Sequence, residues 1–280
     1  MHLADERVLL LQDRYSMDLA EGRAWAKRFE AFGTMARLTG LLTRPKDEDF
    51  AVIYRERRLQ PFWRIACSAT VSYQRARTYS IAVDGNVTGV DILGDMRPVD
   101  GRSFQIQGTE HCHEEIHREV IYDAVSGQAD PRLASYLRND AAVIDPVALQ
   151  AAGEGTVVVP PQAKASTLVR DVIAHSITRI EADTVQEERL ELHHVDLYYR
   201  PVYAFRYRWQ GKEAVVECDG VTGEAMVGGA TFEHYVGQVI DAQFLVSVGV
   251  EAAQLVIPGA RIAELVISKS IEVSRDARRR

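Results

Sequence analysis

The chain has 280 residues, 46% hydrophobic and 26% charged, which excludes a disordered or fibrous protein and is ample for a buried core. With 33 Lys+Arg against 40 Asp+Glu the net charge is −7, so partners that demand a cationic excess, nucleic acid and anionic membranes, are not expected. Cys67, Cys112 and Cys218 are too scattered for a disulfide framework and lack the C-x-x-C pairing of a structural zinc site, so they are read as reduced thiols. The apolar run Val8 to Leu11 is too short for a signal-peptide core or a membrane span, and a cytoplasmic location is expected.

From Asp5 to Leu42, Leu19, Ala20, Trp25, Phe29, Phe32, Met35, Leu38 and Leu42 recur at three- and four-residue steps, which predicts an N-terminal helical segment. Ser16 and Asp18 with Glu21 give a capping signal, so a break near Tyr15–Met17 divides it into a short and a long helix; Pro45 ends it. Phe50 to Leu93 alternates and is rich in aromatic and β-branched residues, which predicts sheet, with Tyr79–Val83 and Val87–Leu93 as a hairpin about Asp84-Gly85-Asn86. A strand at Ser103–Gln107 follows, then a helix over Thr109–Val125 and a connector, Gly127–Pro161, with a short helix at Pro131–Leu137. Gly153-Glu154-Gly155 and Pro160-Pro161 mark a domain boundary, giving 1–152 and 153–280.

Lys164–Ile177 reads as an amphipathic helix, followed by strands Arg189–Leu197, Val202–Trp209 and Ala214–Cys218 with turns at Gly211 and Asp219-Gly220. Pro61-Phe62-Trp63 parallels Pro201-Val202-Tyr203, and the turn Asp84 to Gly89 parallels Asp219 to Gly223 once a five-residue gap is allowed. The expected fold is therefore α+β: two similar halves of helix plus antiparallel sheet, after an N-terminal helical segment. A helix near Phe232–Val246, a strand or short helix after Pro258-Gly259 and a solvated tail at Arg275–Arg280 complete the chain.

Across Leu197–Val227, the residues Tyr203-Ala-Phe-Arg-Tyr, Gly211-Lys212 and Val215 to Glu224, with their aspartate turn ending in Thr222-Gly223-Glu224, resemble the PepSY module. That resemblance implies a helix packed on a small antiparallel sheet and a small interaction or regulatory role, sometimes beside peptidases.

Two constellations carry chemistry. His113-Glu114-Glu115-Ile116-His117 matches H-E-x-x-H, which on a helix puts both imidazoles on one face toward a Zn²⁺ while Glu114 serves as general base. The third ligand is open among Glu119, Asp123, Glu191, His193 and His194; a structural metal on His111, Cys112, His113 and His117, or no metal, are the other readings. The second constellation is Arg among aromatics. Arg55, Arg57, Arg58, Arg64, Arg75 and Arg77 run among Tyr54, Phe62, Trp63, Tyr73 and Tyr79, and Arg200, Arg206 and Arg208 alternate with Tyr203, Phe205, Tyr207 and Trp209. Trp63, Arg200, Tyr203, Arg206 and Trp209 are the expected anchors of a partner surface, because Arg and aromatic side chains lose most when truncated at an interface. No phosphate loop and no G-x-S-x-G elbow occurs. The expectation is a non-catalytic binding, scaffold or regulatory protein without cofactor, engaging another protein or itself; the alternative is a zinc-dependent, metallopeptidase-like hydrolase using His113, Glu114 and His117.

Overall fold

The computed structural model describes residues 2–3, 6–33, 46–145, 148–149, 156–176 and 180–228. In chain order these form β1 (His2–Leu3), β2 (Glu6–Leu11), α1 (Met17–Ala31), a 3-10 turn (Asp47–Asp49), β3 (Ala51–Ala82), β4 (Gly89–Ile92), β5 (Asp95–Pro98), β6 (Ser103–Asp123), a 3-10 helix (Pro131–Arg138), β7 (Ala141–Val143), β8 (Thr156–Val158), α2 (Ala165–Ser176), β9 (Thr184–Trp209), β10 (Lys212–Asp219) and β11 (Ala225–Val227). The architecture is α+β, with one nine-stranded mixed sheet.

Its spine is the antiparallel pair of the 32-residue β3 and the 26-residue β9, which pair from Ala51↔Arg208 to Gln74↔Thr184 with register shifts at Val52/Tyr54, Ala66/Cys67 and Ser72/Tyr73. Each spine strand contains a proline, a residue that normally disqualifies an interior strand because it has no N–H to donate. Both prolines fall where the outer neighbour changes. Beyond β3, parallel β8 pairs up to Leu59 and antiparallel β6 begins at Phe62, which leaves Pro61 between them. Beyond β9, parallel β2 pairs up to Tyr199 and antiparallel β10 begins at Val202, which leaves Pro201 between them. No ladder bond is lost at either position. The sequence reading split β9 into two strands at this proline, and the structure joins them.

Both helices lie on one face of the sheet. α1 buries Ala20 and Ala24 against Tyr203, Phe205, Tyr207, Val216 and Cys218, and Ser16 caps it by accepting from the Leu19 amide at 3.4 Å. α2 buries Leu168, Val169, Val172 and Ile173 against Ile65, Cys67, Leu197 and Tyr199. The 3-10 helix covers part of the other face, where Leu133 and Tyr136 pack on Phe62, Ile121 and Tyr198.

Four expectations are corrected. The segment before the Tyr15–Met17 break is strand, not helix: Leu9 and Leu11 pack on the 3-10 side, while Val8 and Leu10 pack on the α2 side. A strand buried on both faces reads as an unbroken apolar run and carries no period of two. Tyr79–Ile81 pair with Phe104–Ile106, not with Val87–Leu93, and Gly89–Ile92 pair with Asp95–Pro98. Gly85 therefore sits at the far end of a long hairpin, whereas Gly220 packs on Pro201, so these two glycines are not counterparts. Finally, Thr109–Val125 is no helix. Through Asp123 it belongs to β6, paired with β3 from Phe62↔Asp123 to Ala82↔Ser103, because the Ser, Thr, Val and Tyr of β3 offer a strand partner along its whole length; Ala124 and Val125 are in the turn that follows.

The turn that is built like Asp219–Gly223 is Asp123–Gly127. Asp219 Oδ1 accepts from the amides of Val221 and Thr222 at 2.9 and 2.8 Å, and Asp123 Oδ1 accepts from those of Val125 and Ser126 at 3.1 and 2.7 Å. Gly223 (φ 71°) and Gly127 (φ 72°) close the turns in the left-handed region, each donating its amide to the aspartate carbonyl at 2.8 Å. The residue after each aspartate donates to a proline carbonyl, Gly220 to Pro201 at 2.9 Å and Ala124 to Pro61 at 3.3 Å.

The expected boundary at Gly153-Glu154-Gly155 lies outside the described residues, and β3 and β9, on either side of it in sequence, share one sheet. Met35, Leu38, Leu42, Ile177 and the elements expected after residue 228 also lie outside the described residues.

Candidate functional site

The H-E-x-x-H motif does not assemble a metal centre. On a strand, residues four apart share a face but stand about 13 Å apart, whereas tetrahedral zinc ligation brings ring nitrogens to about 3.4 Å of each other. Strand alternation also sends Glu114 to the face opposite His113 and His117, where it accepts from the Tyr73 hydroxyl at 2.7 Å. This bond, followed by burial, pushes the tyrosine up to about 12. The imidazoles are engaged separately: His113 Nδ1 with Ser72 Oγ at 3.0 Å, His111 Nδ1 with Gln74 at 3.1 Å and His117 Nε2 with Glu115 at 3.0 Å. His193 meets Ser68 Oγ at 2.7 Å. Among the described residues no group of three or more His, Cys, Asp and Glu is placed to hold a metal ion.

The expected anchor surface is also divided. Trp63, Tyr203 and Trp209 point to the helix side and are core: Trp63 donates its indole N–H to the Ala163 carbonyl at 3.0 Å, Tyr203 donates to Asp13 at 2.7 Å, and Trp209 stacks on Phe50 with centroids 5.3 Å apart. Arg200 and Arg206, an even number of residues from one another and odd from the aromatics, point to the opposite face. Arg200 donates to Asp219 and to Gln60, both at 2.6 Å, and Arg206 lies over the Tyr54 ring at 5.6 Å. Arg and aromatic side chains in alternation are thus two different populations: one fills the core and the other joins a polar network.

That network escaped the sequence reading. Arg58, fully buried, lies 2.6 Å from Glu56 and 2.5 Å from Glu217. Burial first of all raises the Glu56 carboxyl, against the pull of Arg58. Asp219 accepts from Arg200, from the Tyr136 hydroxyl at 2.5 Å and from its own turn amides. A shallow hollow nearby, lined by Gln12, Arg14, Arg138, Asn139 and Asp140, sits on the surface. The signal available in the sequence was charge at alternate positions of a strand, Glu56 and Arg58.

Among the described residues, the surface left open is the β3–β6 hairpin. β9 stops beside Gln74, with the Asp183 amide donating to the Gln74 carbonyl at 2.9 Å, and the hairpin runs on to Ala82 and Ser103 before a tip that contains β4 and β5. Eight residues of extended chain make about 26 Å. From Arg75 outward β3 is largely exposed, and at the tip Leu93 and Met96 are 104% and 65% exposed. A free two-stranded ribbon is marginal in water, so cross-strand contacts must hold it. Glu110 supplies them: it accepts from Tyr79 Oη at 2.6 Å and from Arg75 Nε at 2.5 Å, with Arg77 at 3.6 Å. The tyrosine and the arginines hold its carboxyl below the ordinary range. The Tyr79 ring lies over Gly108, where an added Cβ would stand 3.3 Å from Cε2, so the aromatic ring covers a glycine that would otherwise leave the ribbon bare. Of the residues singled out in the sequence, Arg75, Arg77 and Tyr79 lie on this arm, and Tyr73, His111, Cys112, His113, Glu114 and His117 lie on the same hairpin nearer the sheet.

No protein-family model, curated protein or solved structure matches this chain.

Proposed function

We propose that this protein is a binding and scaffold module that works by presenting the β3–β6 arm to a partner protein, without catalysis at the histidine motif. The observation that carries the reading is the arm itself: paired backbone that continues beyond the last strand of the sheet, with exposed apolar side chains at its end. The fold does not need such an extension. On the other side of the spine the equivalent connection, β9 to β10, is closed by Gln210-Gly211 (φ 50° and 74°) as a two-residue turn, in register at Trp209↔Lys212. The hydrolase alternative loses its support through the spacing of His113 and His117 along a strand.

The same reading takes the chain as two related halves. In its favour, Pro61 and Pro201 hold equivalent places about the pair Gln60↔Arg200; β2 then α1 precede β3 as β8 then α2 precede β9; and the turns D-A-V-S-G and D-G-V-T-G close the following strands with the same bonds. The PepSY resemblance accords with it, because α2, β9, β10 and the Asp219 turn supply the helix, the antiparallel strands and the closing aspartate of such a module.

The test is to join Arg77 to Gly108, which are register partners, through Asn-Gly, and to compare this short-arm variant with the full chain. Its melting midpoint should stay close to that of the full chain. A partner identified by affinity purification and mass spectrometry should bind the full chain in calorimetry and lose that binding with the short arm. Equal binding by both would refute the arm as the working surface.

A further inference from the structure

We infer that this chain pairs with a second copy of itself, joined antiparallel along the outer edge of β6 so that the sheets of the two copies become continuous across a twofold axis at Glu114. The inference goes beyond the proposed function: the pairing block lies inward of the arm's free end and is kept whole when Arg77 is joined to Gly108, so the short-arm variant should still dimerise.

The edge comes first. Among the described residues β6 pairs with β3 alone. From Ile121 onward its outer side is occupied, because Asp130 donates to the Ile121 carbonyl at 2.9 Å and Tyr122 bridges to Ala129. From Ser103 to Val120 no described strand covers it. A long uncovered edge is a template for another strand, and proteins that must avoid pairing blunt such edges with proline, bulges or charged side chains, lysine above all; here the charges are of both signs, so a reversed copy can match them. The stretch from Ser103 to Val120 has no proline and no lysine, and its ladder with β3 runs without a register shift.

Register comes second. When a strand pairs with its own copy about a perpendicular twofold axis, the same faces stay together, so the axis falls at a residue position. Sliding the axis along β6 changes who meets whom. With the axis at Glu114, Glu110 faces Arg118 of the second copy, His113 faces Glu115, Cys112 faces Ile116 and Thr109 faces Glu119. One position earlier Arg118 meets Gly108, and one position later it meets Cys112. The arginine finds an acid twice, once on each side of the axis, with the axis at Glu114 and again with the axis at Ile116, where it meets Glu114. Cross-strand neighbours of opposite charge stabilise a pair and like charges oppose it. With the axis at Glu114, Glu110 would lie between Arg75 of its own β3 and Arg118 of the second copy.

Extent separates the two registers. An axis at Glu114 pairs Gly108 to Val120 before the occupied stretch from Ile121 is reached, whereas an axis at Ile116 pairs only Cys112 to Val120. The single unfavourable contact is Glu114 with its own symmetry mate, which gives the proposal a signature that a merely exposed strand does not have.

Sedimentation equilibrium of the full chain, free of tags, is the first measurement, and a dimer is expected. Arg118→Glu sets acid against acid twice and should leave monomer, whereas Glu114→Gln removes the axial repulsion and should tighten the dimer. Register is read by Glu114→Cys in a Cys112→Ser background. Paired strands hold facing Cα atoms about 4.5–5.5 Å apart, within disulfide reach, so mild oxidation should give a covalent dimer, and Glu110→Cys in the same background should not. A chain that sediments as monomer at every concentration, or a dimer that Arg118→Glu leaves intact and position 114 fails to cross-link, overturns the proposal. If the chain is monomeric yet loses a different protein when the arm is shortened, self-pairing alone falls and the arm remains the working surface.

Discussion

Asp123 and Asp219 perform the same backbone task in different surroundings, and replacing each by alanine separates the two contributions. Asp123 accepts only from the amides of Val125 and Ser126 and is partly exposed, so Asp123→Ala should cost about 1 kcal/mol, as for loss of a helix cap. Asp219 performs that task and also accepts from the Tyr136 hydroxyl at 2.5 Å and from Arg200 Nη1 at 2.6 Å, with its side chain 2% exposed. Asp219→Ala leaves the Arg200 guanidinium with Gln60 as its remaining carboxamide acceptor, and a buried charge stripped of its counter-ion costs about 3–5 kcal/mol. Arg200 is 15% exposed, so water recovers part of this and the low end applies, giving about 4 kcal/mol in all. Burial, opposed by Arg200, already pushes Tyr136 up to about 12, so its hydroxyl keeps its proton and is a donor left without its acceptor.

Urea unfolding followed by tryptophan fluorescence measures both variants. With a slope of about 3 kcal/mol/M for a chain of this size, a difference of about 3 kcal/mol separates the two midpoints by about 1 M. Adding Arg200→Met to Asp219→Ala removes the stranded charge and should recover a large part of the loss, because neighbouring residues are not additive. If Asp123→Ala and Asp219→Ala shift the midpoint equally, the cost lies in the turn alone and the charge reasoning fails.

Two further outcomes follow from buried charge. Glu6 is raised to about 7 by burial. Its folded value lies above its unfolded one, so the folded state holds the extra proton between about pH 4.5 and 7 and loses stability as pH rises through that window; Glu6→Gln should stabilise by about 1–2 kcal/mol at about pH 8, allowing for its partial exposure, and change nothing at about pH 4, as urea midpoints at the two pH values would show. Arg58→Met removes the cation that bridges Glu56 and Glu217 and should cost about 3–5 kcal/mol, whereas Glu56→Gln, at a carboxyl that burial already pushes toward its neutral form, should cost about 1 kcal/mol or less in the same assay.

What the sequence displayed was local. Ser16 announced the start of α1, Gly211 announced a tight hairpin, and the apolar spacing of Leu168, Val172 and Ile173 announced α2, because each signal is complete within a few residues. What it concealed depended on partners distant in sequence. Glu110 to Glu119 is a good helix former by propensity, and a strand only because β3 presents a matching ladder from forty residues upstream. That override bears on the histidine motif as well. A spacing of four residues is one turn on a helix and about 13 Å on a strand, so the same five letters that would gather a metal in one state hold two histidines apart in the other. The aromatic and arginine alternation was misjudged in the complementary way: its period was read correctly, but a period of two assigns neighbours to opposite faces, so Tyr203 and Trp209 could never have shared a surface with Arg200 and Arg206. Face, not composition, determines which side chains can act together. On β6 that rule leaves His111, His113, Glu115 and His117 on one side and Glu110, Cys112, Glu114, Ile116 and Arg118 on the other, and it is the second set whose charges match a reversed copy of itself.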